Sequence, residues 1–203
     1  GLGDVYKRQF VYKFKKRIQK HGANITDCLC VTCREQKEHN RLKRKVIRMK
    51  LGFIGTGNMA SAIMGGIIKN NVIPAEEIIG ADLFAPGRER VQKEYGINVT
   101  ADNKEVAQKA ETIILSVKPQ FYESVIADIK DVVTDKQIII TIAPGKTLAW
   151  LAEQFGKDVK IVRTMPNTPA MVGEGMTAVC PNEHLTEDEI AYVKSLLESF
   201  SRA

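Results

Sequence analysis

Residues 49–203 predict an α/β protein built on a doubly wound, mostly parallel sheet, and three observations carry that expectation. A short apolar run, Leu51-Gly52-Phe53-Ile54, ends at a glycine turn, Gly55-Thr56-Gly57-Asn58-Met59-Ala60. Met59, Ile63 and Ile67, with Met64 and Ile68 beside them, then recur at the spacing of one helix face. Further along, Ile113-Ile114-Leu115 and Ile138-Ile139-Ile140 are continuously apolar, as expected of parallel strands covered on both faces.

The alternation continues in order. After the first helix, Glu77-Ile78-Ile79-Gly80-Ala81-Asp82 reads as a second strand with an acid at its tip. Further strands are expected near Ile97–Val99, Thr112–Val117, Gln137–Ile142, Lys160–Arg163 and Met176–Val179. Helices are expected between them, near Pro86–Tyr95, Asn103–Lys109, Phe121–Ile129 and Leu148–Phe155. Thr186 and Glu189 have the spacing of a capping box before a last helix reaching about Phe200. Strands alternating with helices in this way wind a sheet with helices on both sides.

Strand, glycine turn and helix follow in the order of a Rossmann dinucleotide fingerprint. Gly55 allows the tight turn, Gly57 has no Cβ to block a pyrophosphate, and Ala60 lets the helix pack close to the strand. Backbone N–H groups at the helix start, aided by its dipole, then hold phosphate charge. Asp82, 22 residues after Ala60, stands where an acid accepts hydrogen bonds from adenine-ribose hydroxyls and repels a 2′-phosphate. Arg88 and Arg90 follow and either pair with such a phosphate or open the next helix as solvated charges. The cofactor is therefore NADPH or NADH, with the choice open.

Charge divides the chain. Residues 1–48 hold 14 Lys/Arg against 4 Asp/Glu, whereas residues 49–203 hold 16 against 20. The net charge of +6 thus describes neither part, and the mildly acidic globular part argues against a nucleic-acid partner. With 44% apolar and 27% charged residues the balance is that of an ordinary globular protein. No stretch approaches the ~18 apolar residues of a membrane span, so no membrane partner and a cytoplasmic location are expected. The basic leader has no apolar h-region of a secretory signal and no Ser, which weighs against a transit peptide. Asp4-Val5-Tyr6-Lys7-Arg8-Gln9 resembles translated library adapter, and Met49-Lys50 precedes the first strand as a start codon would. The expected organisation is a disordered or artefactual leader over 1–48 and a nucleotide-binding domain over 49–203. Cys28, Cys30 and Cys33 with His21 and His39 form one crowded cluster rather than two zinc knuckles, so no metal is expected. Cys180, the lone thiol of the globular part, fits a reducing compartment.

Three further strand ends carry unusual loops: Ser116-Val117-Lys118-Pro119, Thr141-Ile142-Ala143-Pro144-Gly145-Lys146-Thr147 and Met165-Pro166-Asn167-Thr168-Pro169-Ala170. Together with the glycine turn, these motifs resemble pyrroline-5-carboxylate reductases over essentially all of Met49–Ala203, the Met165–Ala170 segment being the most specific. Pro144 departs from the Ala of many members, and Asp82 from the Ser or Thr of several. The resemblance implies that Ile54, Gly55, Thr56, Gly57, Asn58 and Met59 line the pyrophosphate, with Asp82 near the adenine ribose and Asn103 touching the cofactor. Ser116, Val117, Lys118, Pro119, Ile142, Ala143 and Pro144 would flank the nicotinamide. Asn167 would lie near the nicotinamide and substrate, where it and Lys118 are the candidate catalytic groups.

The implied activity is NAD(P)H-dependent reduction of 1-pyrroline-5-carboxylate to L-proline. Hydride would pass to an imine carbon that is electrophilic once protonated, so no strong base is required. The family's second, helical domain forms the dimer and binds the substrate carboxylate. Its absence from the sequence leads us to expect a weakly active or inactive fragment of a homo-oligomeric parent. Two alternatives are a β-hydroxyacid dehydrogenase, which prefers Gly at the place of Ala60, and a non-catalytic nucleotide-binding module.

Overall fold

The computed structural model describes residues 51–167, 169 and 175–202. The leader with its Cys/His cluster, Met49, Thr168 and Ala170 lie outside the described residues. The element order is β1 (Leu51–Ile54), α1 (Asn58–Lys69), β2 (Ile78–Ala81), α2 (Ala85–Tyr95), β3 (Asn98–Thr100), α3 (Asn103–Lys109) and β4 (Thr112–Leu115). It continues with α4 (Tyr122–Ile129), β5 (Ile138–Thr141), α5 (Leu148–Phe155), β6 (Lys160–Pro166), β7 (Gly175–Pro181), α6 (Glu187–Leu197) and β8 (Ser201–Arg202).

The strands join in the order β3-β2-β1-β4-β5-β6-β7-β8. The first six are parallel neighbours, β7 runs antiparallel to β6, and β8 pairs parallel with β7. This is the doubly wound, mostly parallel sheet expected from the sequence. Strands β1, β4 and β5 are buried at every position, which is why they read as unbroken apolar runs. One face carries Ile54, Ile113, Leu115, Ile139 and Ile161, packed with α3, α4 and α5 into a single cluster. Alternate residues such as Phe53, Ile114, Ile140 and Val162 are equally buried and project to the opposite face.

Local chemistry sets the helix ends. Asp102 and Thr147 cap α3 and α5 by accepting from Lys104 N and Trp150 N. The Thr186–Glu189 capping box opens α6 as the spacing predicts.

Several boundaries differ from expectation, four elements most clearly. Pro119–Phe121 forms a 3₁₀ turn, so α4 begins at Tyr122 rather than Phe121. Antiparallel pairing of Val162–Pro166 with Thr177–Pro181 extends β6 and β7 beyond their predicted spans. The last helix stops at Leu197, because residues 201–202 leave to pair with Gly175 and Met176, where Ser201 Oγ and Thr177 Oγ1 lie 2.6 Å apart.

Candidate functional site

Sheet register gathers the predicted residues. Thr100, Ala81, Ile54, Leu115, Thr141 and Arg163 are successive partners across six parallel strands, and they form one row at the carboxyl ends. Asp82, Gly55, Ser116 and Ile142 each come immediately after a member of that row, and Asn103 and Asn167 follow within four residues. The order reverses at β1, between β2 and β4, which is where open α/β sheets hold ligands.

The glycine turn stands at that reversal. Gly55 has φ +98°, and a Cβ on it would lie 2.8 Å from the backbone C and O of Ser116. Only glycine fits such a conformation and such a contact. Gly57 is the N-cap of α1, and a Cβ there would meet no atom within 4 Å. No side chain caps α1, and no acid sits in its first turn. Among the described residues the orphan N–H groups at its start therefore have no side-chain acceptor, and they lie under open space at the positive end of a 12-residue helix. These features fit a pyrophosphate. Ala60 is fully buried, as close packing of α1 on the sheet demands.

The turn is clamped from both sides. On the β4 side Ser116 Oγ donates to Gly55 O at 2.7 Å and to Ile54 O at 3.1 Å. On the β2 side Asp82 Oδ2 accepts from Thr56 N at 2.7 Å and from Thr56 Oγ1 at 2.9 Å, while Oδ1 accepts from Phe84 N at 3.0 Å. Arg88 Nη1 donates to Asp82 O at 2.5 Å, and Arg90 Nη2 reaches Thr56 O and Ser61 Oγ. Both arginines thus stand at this corner, spending part of their donor forks on backbone carbonyls.

The other candidates are placed as follows. Asn58, Lys118 and Pro144 are exposed, Met59, Val117, Pro119 and Ile142 are half-buried, and Ala143 is buried beneath the β5 tip. Asn103 Nδ2 donates to Asp128 of α4 at 3.3 Å. Asn167 Oδ1 accepts from Met176 N at 2.9 Å, and Asn167 N donates back to Met176 O, so this asparagine ties β6 to β7.

Sequence reasoning missed Tyr122. Its hydroxyl, buried between the tips of β4 and β5, donates to Leu115 O at 2.5 Å and accepts from Thr141 Oγ1 at 2.8 Å. Thr164 Oγ1 donates to Thr141 O, which carries the chain on to β6. Burial pushes the phenol up to about 12, with Thr141 pulling the other way. Thr141 and Thr164 interrupting apolar strands were the available signal, and it pointed to no partner.

Residues 50–145 match the model of the family described as NADP oxidoreductase, coenzyme F420-dependent. Pyrroline-5-carboxylate reductase of Escherichia coli strain K12 is 39% identical over 158 residues, which cover 76% of this chain and 57% of the relative. The fold is similar to that of a pyrroline-5-carboxylate reductase from Coxiella burnetii (TM-score 0.73, 30% identity, covering 76% of this chain and 57% of that one). It is also similar to Plasmodium falciparum pyrroline carboxylate reductase, solved with NADP bound (TM-score 0.69, 32% identity, 76% and 56% covered). The chain spans a little over half the length of these relatives. The glycine turn and the strand-tip row thus stand in a chain that is similar, in both sequence and fold, to pyrroline-5-carboxylate reductases over 76% of its length.

Proposed function

We propose that residues 49–203 form a domain that binds NADH or NADPH across the carboxyl ends of β2, β1, β4 and β5. This domain would serve the reduction of 1-pyrroline-5-carboxylate to L-proline in the cytoplasm. The observation that carries the reading is the uncapped start of α1, with open space at Gly57, at the point where strand order reverses. In the Ile54 to Met59 turn the uncapped N–H groups at the start of α1 hold the pyrophosphate, and Asn103 reaches the cofactor from the start of α3. Ser116 to Pro119 and Ile142 to Pro144 form the floor for the nicotinamide.

A reduced nicotinamide supplies hydride when bound; the protein's part is position and electrostatics. Lys118 is exposed at the β4 tip, where its ammonium meets cofactor or substrate. Asn167 marks the substrate side of the same edge. Ser116 and Tyr122 hold the backbone of these loops in place, so that the two reactants meet in fixed geometry. The substrate assignment leans on the named relatives, and the second half of their length is where we place the dimer contact and the substrate-carboxylate site.

Calorimetric titration of the chain with NADH and NADPH tests the first part, and saturable binding of at least one is expected. Absence of binding by the folded protein would sink the assignment. Loss of reduced nicotinamide on adding pyrroline-5-carboxylate, with appearance of proline, tests the second. A chimera carrying the C-terminal half of a related reductase should give that signal. A folded, dimeric chimera that oxidised a hydroxyacid instead would favour a dehydrogenase.

A further inference from the structure

We infer that Asp82 is a positioning residue that locks the glycine turn, and that it is not the reader of the adenine ribose. The inference rests on the dinucleotide reading above and deepens it. An acid at this place is expected to offer its oxygens to ribose hydroxyls. Here both oxygens are already engaged by protein donors: Oδ2 takes the N–H and hydroxyl of Thr56, and Oδ1 takes the N–H of Phe84. Thr56 is 1% exposed, so its side chain lies inside the protein and away from any phosphate on the turn. Among the described residues the Thr56 hydroxyl has Asp82 as its one hydrogen-bond partner.

The surroundings are shaped to admit this pair. A Cβ at Gly80 would stand 3.1 Å from Thr56 Cγ2, and one at Gly87 would stand 3.3 Å from Thr56 Oγ1. Gly87 lies in the first turn of α2, where a glycine gives the helix less support than Ala would. A glycine in that helix is explained by the room Thr56 needs. Arg90 then closes the arrangement from outside by donating to Thr56 O and to Ser61 Oγ on α1. Asp82 thus ties the β2–α2 loop to the turn whose N–H groups receive the pyrophosphate.

The two roles separate by ligand. ADP and 2′-deoxy-ADP share the pyrophosphate and differ in the hydroxyl that a ribose-reading acid would accept. With Asp82→Asn, the single amide oxygen can serve Thr56 or Phe84 but not both. Affinity for ADP and 2′-deoxy-ADP should each fall about tenfold, as for loss of a charged hydrogen bond. Their ratio should stay within about threefold of the wild-type ratio, because the hydroxyl does not interact with residue 82.

Thr56→Val, which removes only one donor, should weaken both ligands about threefold, and its effect should be sub-additive with Asp82→Asn. This variant keeps the test alive if Asp82→Asn does not fold. A hydroxyl preference present in wild type and erased by Asp82→Asn would overturn the inference alone, as would unchanged affinity in Thr56→Val. Failure of the wild-type chain to bind ADP, NADH or NADPH would instead remove the function proposed above, and this inference with it.

Discussion

The head of β1 and the tip of the β6–β7 pair both carry motif residues, yet they are built in opposite ways. At the head of β1, polar side chains from just past β2 and β4 and from α2 all bond to the glycine turn, and the Thr56 side chain is buried beneath it. At the β6–β7 tip, Asn167 makes one reciprocal link to Met176, and Met165 and Met176 are 45% and 64% exposed. The first is a rigid cradle in which geometry is over-determined. The second leaves its apolar side chains to solvent among the described residues. A motif residue can therefore be recognisable for what it does to the backbone in one place and for what it presents outward in another.

Two glycines of the same turn break that comparison most sharply. Gly57→Val should abolish binding of NADH and NADPH while leaving the fold intact, since its Cβ meets no protein atom and intrudes only where the pyrophosphate belongs. Titration calorimetry with circular dichroism checks this, and unchanged affinity in a folded variant would contradict it. Gly55→Ala should do the reverse, damaging the fold first. Left-handed backbone at Ala costs about 1–2 kcal/mol before the 2.8 Å contact with Ser116 is relieved. At about 2–4 °C per kcal/mol, a thermal midpoint lowered by several degrees is expected.

Tyr122→Phe should cost about 1–3 kcal/mol, because it leaves Leu115 O and Thr141 Oγ1 short of a buried partner. Chemical denaturation measures this loss.

At the start of β6 the effect is smaller and depends on pH. Burial pulls the Glu189 carboxyl up, but the Lys160 ammonium at 2.7 Å and the donors of Thr186 outweigh it and hold it below 4.5. A carboxylate depressed in the folded state stabilises above its unfolded pKa and loses that contribution as pH falls through the folded value. Wild type should therefore be more stable than Glu189→Gln at pH 7, and the gap should close as the pH drops below 4.5. A gap constant with pH would show that the ion pair is not its source.

Asn167→Ala should change stability least, by about 0.5 kcal/mol or less, because its link is at the surface. A loss as large as that of Tyr122→Phe would erase the contrast between cradle and tip.

Local patterns in the sequence specify the order of elements as far as α6, the glycine turn and the Thr186–Glu189 cap. Each of these is written in residues at most a few positions apart: apolar runs, a 3.6-residue period, a glycine at positive φ, a hydroxyl three residues before a carboxylate. The sequence also carried the strand-tip row in part, since every candidate loop follows an apolar run. What only the tertiary structure decided are the partners. Ser116 meets Gly55 61 positions away, Asp82 meets Thr56 across 26, and Thr141 meets Tyr122 across 19. The antiparallel direction of β7 and the short β8 likewise come only from pairing with strands already in place. No local pattern encodes such contacts. A hydroxyl or carboxylate at a strand tip has several donors and acceptors within reach of its type, and only the register of the folded sheet selects among them.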